Sequence, residues 1–340
     1  MAQQTTNLRT RLGALHGLLK LSDEEFNAYM NTYGELFVNS PENTKADYEN
    51  GVPMQGYRQG SSKELEQLYR VIHLLCTLGS VEKMYMPPVL DPNKSVMENQ
   101  ILLEETMAQA LGVGPGDKVL EIGCGCGAIA TSIGEITGST MYGQNIDKSQ
   151  IEKAWRNPAL KKDNFTVGDF NAPLPYDDAT FDAVYAIQPM TYVSDPDFTL
   201  KEVFRILKPG RTFGFNDVAA LDKYDRDNKT HKLLIQHTRE LTVFGGFWHY
   251  KYWEDAFRRA GFELLESYGQ PAVQNIKKEV SLYDKYEAVV SFLSTIRVFP
   301  QRLFKLIRRL NANAESYIKA EEEELISLNW YAVMRKPQQL

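Results

Sequence analysis

The fold class of this chain follows from one stretch of its sequence, Val119-Leu-Glu-Ile-Gly-Cys-Gly-Cys-Gly127. Apolar residues typical of a buried strand lead directly into three glycines, and the chain then continues into an amphipathic helical segment, residues 128–136. A glycine loop between a strand and a helix can approach a ligand closely, with its backbone amides pointing at the ligand. The stretch therefore predicts a nucleoside cofactor bound above the loop.

Around this stretch, short apolar runs alternate with amphipathic helices as far as about residue 220, which predicts a parallel, doubly wound sheet. The predicted strands are residues 118–122, 139–145, 164–168, 181–187 and 211–217, with later strands at 262–267 and 328–334. Helices are predicted within 9–39, at 63–78 and at 95–111. We divide the chain into a helical N-terminal cap (1–94), a cofactor-binding core (95–221), a substrate lid (222–324) and a final strand with its tail (325–340).

The glycine spacing alone leaves two cofactors open. Gly123, Gly125 and Ala128 also satisfy the dinucleotide pattern G-x-G-x-x-G/A, so a nicotinamide-dependent oxidoreductase has to be considered. Glu121 lies just before the first glycine, where its carboxylate can face the positively charged amino acid portion of S-adenosylmethionine. A pyrophosphate would gain nothing from that charge, so Glu121 favours S-adenosylmethionine over NAD(P).

The ends of the next two predicted strands carry polar residues. Asn145 follows Gly123 by 22 residues, close to the spacing of about 20 for a ribose-binding residue. Asp169 can accept a hydrogen bond from an adenine amino group while Phe170 packs on the ring. The predicted cofactor-binding residues are Glu121, Gly123, Cys124, Gly125, Asn145, Ile146, Gln150, Asp169, Phe170 and Gln188. No metal site is predicted.

Composition restricts the partners. The net charge of −6 and the low pI of about 5.6 argue against a nucleic-acid-binding protein, which needs a basic surface. A small-molecule acceptor is expected, and an oligomer remains open. The chain has three cysteines, two of them in the glycine loop, and no long apolar run, so we expect a reducing, cytoplasmic location.

Residues 119–209 resemble the class I S-adenosylmethionine-dependent methyltransferases, notably in Phe181-Asp-Ala-Val-Tyr-Ala-Ile and Leu207-Lys-Pro-Gly. Within that class the chain is most similar to the sterol C-methyltransferases. The supporting segments are Gly143-Gln-Asn-Ile-Asp-Lys-Ser-Gln-Ile, Tyr185-Ala-Ile, Asp222-Lys-Tyr-Asp-Arg-Asp-Asn, His249 and Ala260-Gly-Phe-Glu. The resemblance implies an α/β fold with a Rossmann-like methyltransferase sheet, an N-terminal cap and a C-terminal lid, and it implies sterol-like C-methylation.

The chain departs from the sterol C-methyltransferase pattern in its acceptor site. Gln188 stands where the family has a glutamate after Tyr-Ala-Ile, and the family's tyrosine- and glycine-rich motif is missing ahead of residue 85. Methylating a double bond creates a carbocation, which a carboxylate or an aromatic face stabilises. A neutral Gln188 therefore keeps a second reaction open: S-, N- or O-methylation of a small polar metabolite such as a thioether acid.

Four side chains are the candidates for catalysis: His249, Asp217, Tyr192 and Gln188. His249 can titrate near neutrality, and Asp217 ends a predicted strand, where the active sites of open sheets lie. Glu98 is a further candidate base. Aromatic residues are dense between Phe244 and Trp253, which suits either lid packing or an apolar acceptor.

Two other hypotheses remain. Residues 297–310 mix basic and apolar residues at helical spacing, which is typical of a helix lying on an anionic membrane, although a solvated lid helix would look the same. Independently, the fold could bind its cofactor without catalysis, as a sensor or a subunit.

Overall fold

The computed structural model describes residues 8–27, 29–30, 40–57, 62–78 and 83–338. The helices are α1 (Leu8–Leu19), α2 (Lys45–Glu49), α3 (Ser62–Leu78), α4 (Val96–Leu111), α5 (Ala128–Thr137), α6 (Lys148–Ala154), α7 (Pro196–Ile206), α8 (Lys229–Thr242), α9 (Tyr250–Ala260), α10 (Val273–Thr295), α11 (Gln301–Asn311) and α12 (Ala314–Glu322). The strands are β1 (Glu42–Asn43), β2 (Lys118–Ile122), β3 (Thr140–Asn145), β4 (Phe165–Val167), β5 (Phe181–Ile187), β6 (Leu207–Ala220), β7 (Phe247–Trp248), β8 (Glu263–Gln270) and β9 (Ile326–Arg335).

The central sheet has the strand order β4-β3-β2-β5-β6-β9-β8. Strands β4, β3, β2, β5 and β6 are parallel, as the alternating sequence pattern predicts. Strand β9 is inserted between β6 and β8 and runs antiparallel to both, so the sheet is not parallel throughout. The preceding chain brings Ile326, the first residue of β9, beside Ala220 at the carboxyl end of β6. Because β9 begins where β6 ends, β9 runs in the opposite direction.

The two central strands are buried on both faces. Every residue of β5 is buried, and β2 is buried from Val119 onwards, which explains their nearly continuous apolar sequences. Helices α4, α5 and α6 cover one face, and α7 and α9 cover the other. Helix α4 begins with a capping box in which Ser95 and Glu98 exchange hydrogen bonds. Glu98, a candidate base in the sequence, is therefore an exposed helix cap.

The N-terminal helices form a small cluster with the C-terminal part of the chain. Predicted helices at 9–39 and 63–78 are confirmed as α1, a helical segment at 23–27, and α3, while residues 31–39 lie outside the described part. Leu18 of α1 and Val71 of α3 pack with Leu303 and Leu306 of α11. The apolar face of α11, within the basic segment 297–310, is thus buried against protein, whereas Val298 before it is exposed.

The region after residue 221 divides into two kinds of structure. Helix α9 and strand β8 belong to the core, because Trp253 and Phe257 pack on the sheet and β8 forms its edge. The remaining elements of this region are the short strand β7, which pairs with β1, and helices α8, α10, α11 and α12. The domain boundaries at 94, 221 and 324 and the lid within 222–324 stay predictions.

Candidate active site

The glycine loop adopts backbone conformations that favour glycine. Gly123 and Gly125 have φ angles of 70° and 53°, in the left-handed region that side chains disfavour. A Cβ atom on Gly123 would lie 2.4 Å from Cβ of Pro189, and one on Gly125 would lie 2.9 Å from Oε1 of Gln150. The amide of Gly123 donates to the carbonyl oxygen of Gln144 at the end of β3. The loop is therefore a tight backbone cradle between the ends of β2, β3 and β5.

Glu121 is the residue whose environment is most specific for a cation. It is buried on β2, beside its register partner Tyr185 on β5. Burial raises the pKa of Glu121 to about 8. Its Oε2 atom and the Tyr185 hydroxyl have no hydrogen-bonding partner among the described residues. A buried acid with an unpaired oxygen suits a positively charged ligand group.

The residues at the end of β3 lie next to this loop. Asn145 is the last residue of β3, and Ile146 after it is 47% exposed. Asp147 caps α6 by accepting a hydrogen bond from the amide of Ser149, so it has a structural role. Gln150 is buried against Gly125. The predicted cofactor-binding residues of this segment thus share the carboxyl edge of the sheet with the glycine loop.

Cys124, Asp169 and Phe170 occupy different surroundings. The thiol of Cys124 points into the core, where burial raises its pKa, so only the backbone of this residue can face a ligand. Asp169 closes a turn after β4 by accepting a hydrogen bond from the amide of Asn171 at 2.9 Å. Phe170 is half-buried and packs against the main core. Strand β4 is the neighbour of β3, so this turn lies at the same edge.

Gln188 follows β5 in a strained backbone conformation with φ 62°. Its side-chain amide donates to the carbonyl oxygens of Leu328 at 3.2 Å and Met86 at 3.4 Å. Its backbone amide donates to the carbonyl oxygen of Asn216. A glutamate here would place its oxygens against carbonyl oxygens, which gives a physical reason for glutamine in this chain.

Asp217 is buried beneath the same loop. Its carboxylate accepts hydrogen bonds from the amides of Met190 at 2.7 Å and Val218 at 2.8 Å. Burial raises its pKa to about 7, and these hydrogen bonds oppose the rise. Both carboxylate oxygens already accept hydrogen bonds from backbone amides. These contacts suit Asp217 to holding the loop in position better than to the role of base that the sequence suggested.

His249 lies beside the carboxyl end of β6, beyond Asp217. It pairs with Ala220, four residues beyond Asn216 on β6, or about 13 Å along the strand. Its Nε2 atom is 2.9 Å from a carboxylate oxygen of Asp222, while Nδ1 has no partner in the described part of the chain. Burial lowers the pKa of His249, and Asp222 offsets this only in part. The ring is therefore neutral at pH 7.

Most aromatic residues near His249 fill the core. Phe247, Trp248 and Trp253 are fully buried, and Trp253 contacts Phe215 with ring centroids 5.0 Å apart. The Tyr192 hydroxyl donates to the carbonyl oxygen of Val243. Of the two sequence interpretations, packing describes these three buried residues better than a lining for an acceptor.

Three buried amide side chains were not anticipated from the sequence: Asn216, Asn329 and Gln270. Asn216 and Asn329 interrupt largely apolar, buried strands, and that interruption is the signal that could have drawn attention to them, whereas Gln270 ends the edge strand β8 and gives no such signal. A further buried cluster joins Glu104 to Lys83 at 2.5 Å and to the Tyr85 hydroxyl at 2.8 Å. Among the described residues, no group of three or more His, Cys, Asp or Glu could hold a metal ion.

Comparisons with known proteins identify a methyltransferase domain in this chain. The Methyltransferase domain family matches residues 120–215. The chain is 28% identical over 263 residues to the sterol 24-C-methyltransferase of Aspergillus fumigatus, covering 69% of this chain and 70% of that protein. It is 27% identical over 258 residues to the cycloartenol-C-24-methyltransferase of Arabidopsis thaliana, covering 69% and 76%.

Among solved structures, the [4+2]-cyclase SpnF superposes with a TM-score of 0.63 at 20% identity, covering 84% of this chain and all of that one. At this identity the likeness shows the fold alone. The sequence relatives and the matched domain indicate the reaction class, which is methyl transfer from S-adenosylmethionine. Residues 120–215 form a class I S-adenosylmethionine-dependent methyltransferase domain, and the chain is related to the sterol C-methyltransferases.

Proposed function

We propose that the residues at the carboxyl edge of β2, β3 and β4 bind S-adenosylmethionine. The unpaired oxygen of Glu121 suits the ligand's ammonium group, and the cradle formed by Gly123 and Gly125 suits its close approach. Asn145 would bind the ribose and Asp169 the adenine. Bound there, the cofactor supplies an activated methyl group on a sulfonium.

The protein's own contribution is to position the acceptor and exclude water. Pro189 contacts the glycine loop, and Gln188 and Asp217 hold the segment around it through hydrogen bonds to backbone groups. Tyr192 continues the same short turn, Met190–Tyr192. In this proposal Gln188, Asp217 and Tyr192 position the loop beside the reacting methyl group, and His249 stabilises the neighbouring segment.

We propose a sterol-like acceptor that is methylated on carbon. One observation carries this proposal: the similarity to the sterol 24-C-methyltransferase spans 263 residues, whereas the matched domain covers only residues 120–215. The likeness therefore extends into the part of the chain outside the cofactor fold. The neutral amides at the edge of β5, β6 and β9 also suit an uncharged acceptor better than a charged one.

Gln188 supports a second candidate, an acceptor with its own lone pair such as a thioether. Its amide is engaged with the carbonyl oxygens of Met86 and Leu328 and carries no negative charge to stabilise a carbocation. A sulfur, nitrogen or oxygen acceptor needs no such stabilisation.

The experiment is transfer of label from methyl-tritiated S-adenosylmethionine to a panel of acceptors. Sterols with a side-chain double bond should become labelled, whereas the matched saturated sterols should not, because they lack a nucleophilic double bond. Label appearing only in thioethers would establish the second candidate and overturn the first. Thermal stabilisation by S-adenosylhomocysteine but not by NAD(P) checks the cofactor independently.

We also propose that the protein contacts an anionic membrane through α10 and α11. No helix in the described ranges is long and apolar enough to span a bilayer. Apolar side chains are exposed along α10 and just after it, at Leu282, Tyr286, Val289, Phe292, Ile296 and Val298. The adjoining segment 297–310 carries five arginine or lysine residues and no acid. Its charge complements anionic lipid, and the apolar contact would come from α10.

A further inference from the structure

Three strands place buried amide side chains in one row across the carboxyl edge of the sheet. Asn216 on β6 donates through Nδ2 to Oδ1 of Asn329 on β9 at 2.9 Å. Asn329 is in turn the register partner of Gln270 on β8. Asn216 and Asn329 are fully buried, and Gln270 is 8% exposed. We call these three residues the amide row.

The hydrogen-bonding groups of the amide row are only partly used. Asn216 Oδ1, Asn329 Nδ2 and Gln270 Oε1 have no partner among the described residues. Asn275, near the start of α10, is also fully buried; its Nδ2 donates to the carbonyl oxygens of Pro87 and Pro88, and its own Oδ1 has no partner among the described residues. Buried polar atoms are normally paired, so unpaired atoms grouped in this way point to a ligand that completes them.

The chemistry of these atoms selects a neutral ligand group. The unpaired set offers carbonyl acceptors and an amide donor, which matches a hydroxyl because a hydroxyl both donates and accepts. Two buried acids adjoin the row, Glu321 and Asp217, and the oxygens of both accept backbone hydrogen bonds: those of Glu321 from Ala272 and Leu328, those of Asp217 from Met190 and Val218. A charged ligand group would find no counter-charge in the row itself.

The amide row is continuous with the proposed methyl-transfer site. Gln188 donates through its backbone to Asn216 and through its side chain to Leu328, and Pro189 touches Gly123. From β2 to β8 there are four strand spacings, or about 19 Å. A rigid multi-ring acceptor can span that distance, whereas a small metabolite cannot.

Resting on the sterol-like acceptor proposed above, we infer that the amide row, together with Asn275, binds the hydroxyl at the far end of the acceptor. The row would thereby set both the orientation of the acceptor and the preference for a hydroxylated molecule. The backbone of residues 86–88, to which Gln188 and Asn275 both donate, forms the roof of this hydroxyl site.

The test is equilibrium binding of cholesterol and of its 3-deoxy analogue to the full chain with S-adenosylhomocysteine present. Wild type should bind cholesterol about tenfold more tightly than the analogue, because the hydroxyl pairs buried groups that otherwise remain unpaired. The double variant Asn216→Leu with Asn329→Leu removes both amides together and should bind the two sterols equally. The single variant Gln270→Leu should reduce the preference if the double variant does not fold.

The matched control is Gln274→Leu, which removes an exposed amide on the same helix as Asn275 and should leave the preference unchanged. Equal binding of the two sterols by wild type, or binding of neither, would overturn the inference. A hydroxyl-dependent binding without any methyl transfer to sterols would contradict the proposed reaction and leave the hydroxyl site standing.

Discussion

Glu121 and Tyr185 are register partners on adjacent parallel strands, and both side chains are buried with an oxygen that no described residue pairs. The pair lies directly below the glycine loop, since Gly123 follows Glu121 by two residues. Burial raises the pKa of Glu121 to about 8, so the carboxyl group is protonated at pH 7 in the free protein. Pairing with a ligand ammonium group would favour its ionised form.

Cofactor binding should therefore release a proton from Glu121. We expect the affinity for S-adenosylmethionine to rise between pH 6 and pH 8 and then to level off, because deprotonating the acid no longer costs free energy above its pKa. Calorimetric titration in buffers of different ionisation enthalpy measures the released proton. In Glu121→Gln the affinity should fall and this pH dependence should disappear; a variant with an unchanged pH dependence would contradict the role of Glu121.

Gln188→Glu should lower the free energy of unfolding more at pH 8 than at pH 5. At pH 8 the ionised carboxylate would face the carbonyl oxygens of Met86 and Leu328, whereas at pH 5 a protonated carboxyl group could still donate to one of them. Urea unfolding at the two pH values measures the difference. Gln188→Met, which keeps the volume without a charge, is the control and should show the same loss at both. An equal effect of the two variants at pH 8 would show that the carbonyl contacts do not select glutamine.

Asp217→Asn should destabilise the protein by about 1–3 kcal/mol, because the new NH2 group would face a backbone amide that now donates to Asp217. The native pKa of Asp217 is about 7, above its value in the unfolded chain. Its contribution to stability is therefore largest at low pH and is lost as the pH rises through 7.

Unfolding by urea across pH 4 to 8 measures this slope, which should be smaller in Asp217→Asn. For a positioning residue, kcat should fall while the pKa values of the pH–rate profile stay in place. Loss of the acidic limb of that profile would instead identify Asp217 as the base, because a base loses its activity when it is protonated.

The sheet is the part of the structure that the sequence predicts best. Strands β2 and β5 match their predicted bounds, because a strand buried on both faces needs a nearly continuous apolar run. Strand β6 is longer than predicted at both ends, since Leu207 at its start and Ala220 at its end lie outside the predicted run. The antiparallel direction of β9 depends on where the preceding helices end, which no local pattern records.

Individual side-chain roles were harder to predict for a different physical reason. Asp217 and Gln188 are engaged by backbone groups of residues distant in sequence, and composition does not show which carbonyls or amides approach them. Likewise, the amphipathic pattern of α11 is real, but its apolar face packs on α1 and α3. A periodic pattern identifies an apolar face without identifying what covers it.

His249→Gln should affect stability more than the chemical step. The folded-state pKa of His249 is lowered by burial, so its contribution to stability is present above about pH 6.5 and is lost as the pH falls below that value. Replacing the ring should cost about 1–3 kcal/mol through the lost hydrogen bond to Asp222 and the disturbed packing. Asp222→Asn, which keeps an acceptor for the ring, is the milder control. A hundredfold loss of kcat without loss of stability would instead assign His249 a catalytic role.

The last prediction concerns membrane contact through α10. Val289 and Phe292 are 57% and 64% exposed, and both would enter the interfacial region of a bilayer if α10 lay on it. Val289→Glu combined with Phe292→Glu should abolish sedimentation with vesicles containing phosphatidylserine, because two charges would have to be desolvated. Lys305→Glu with Arg308→Glu should weaken binding mainly at low salt, since those residues supply the electrostatic attraction.

The control for the apolar pair is Leu265→Glu, which changes a comparably exposed apolar residue on the edge strand β8. It should leave vesicle binding unchanged, because the contact depends on the α10 surface and not on exposed apolar area in general. Arg309 is unsuitable for the charge test, since it donates to the carbonyl oxygen of Met30 and its loss would disturb the N-terminal cluster. Vesicle binding that survives the α10 substitutions but is lost with Leu265→Glu would move the membrane contact to the edge of the sheet.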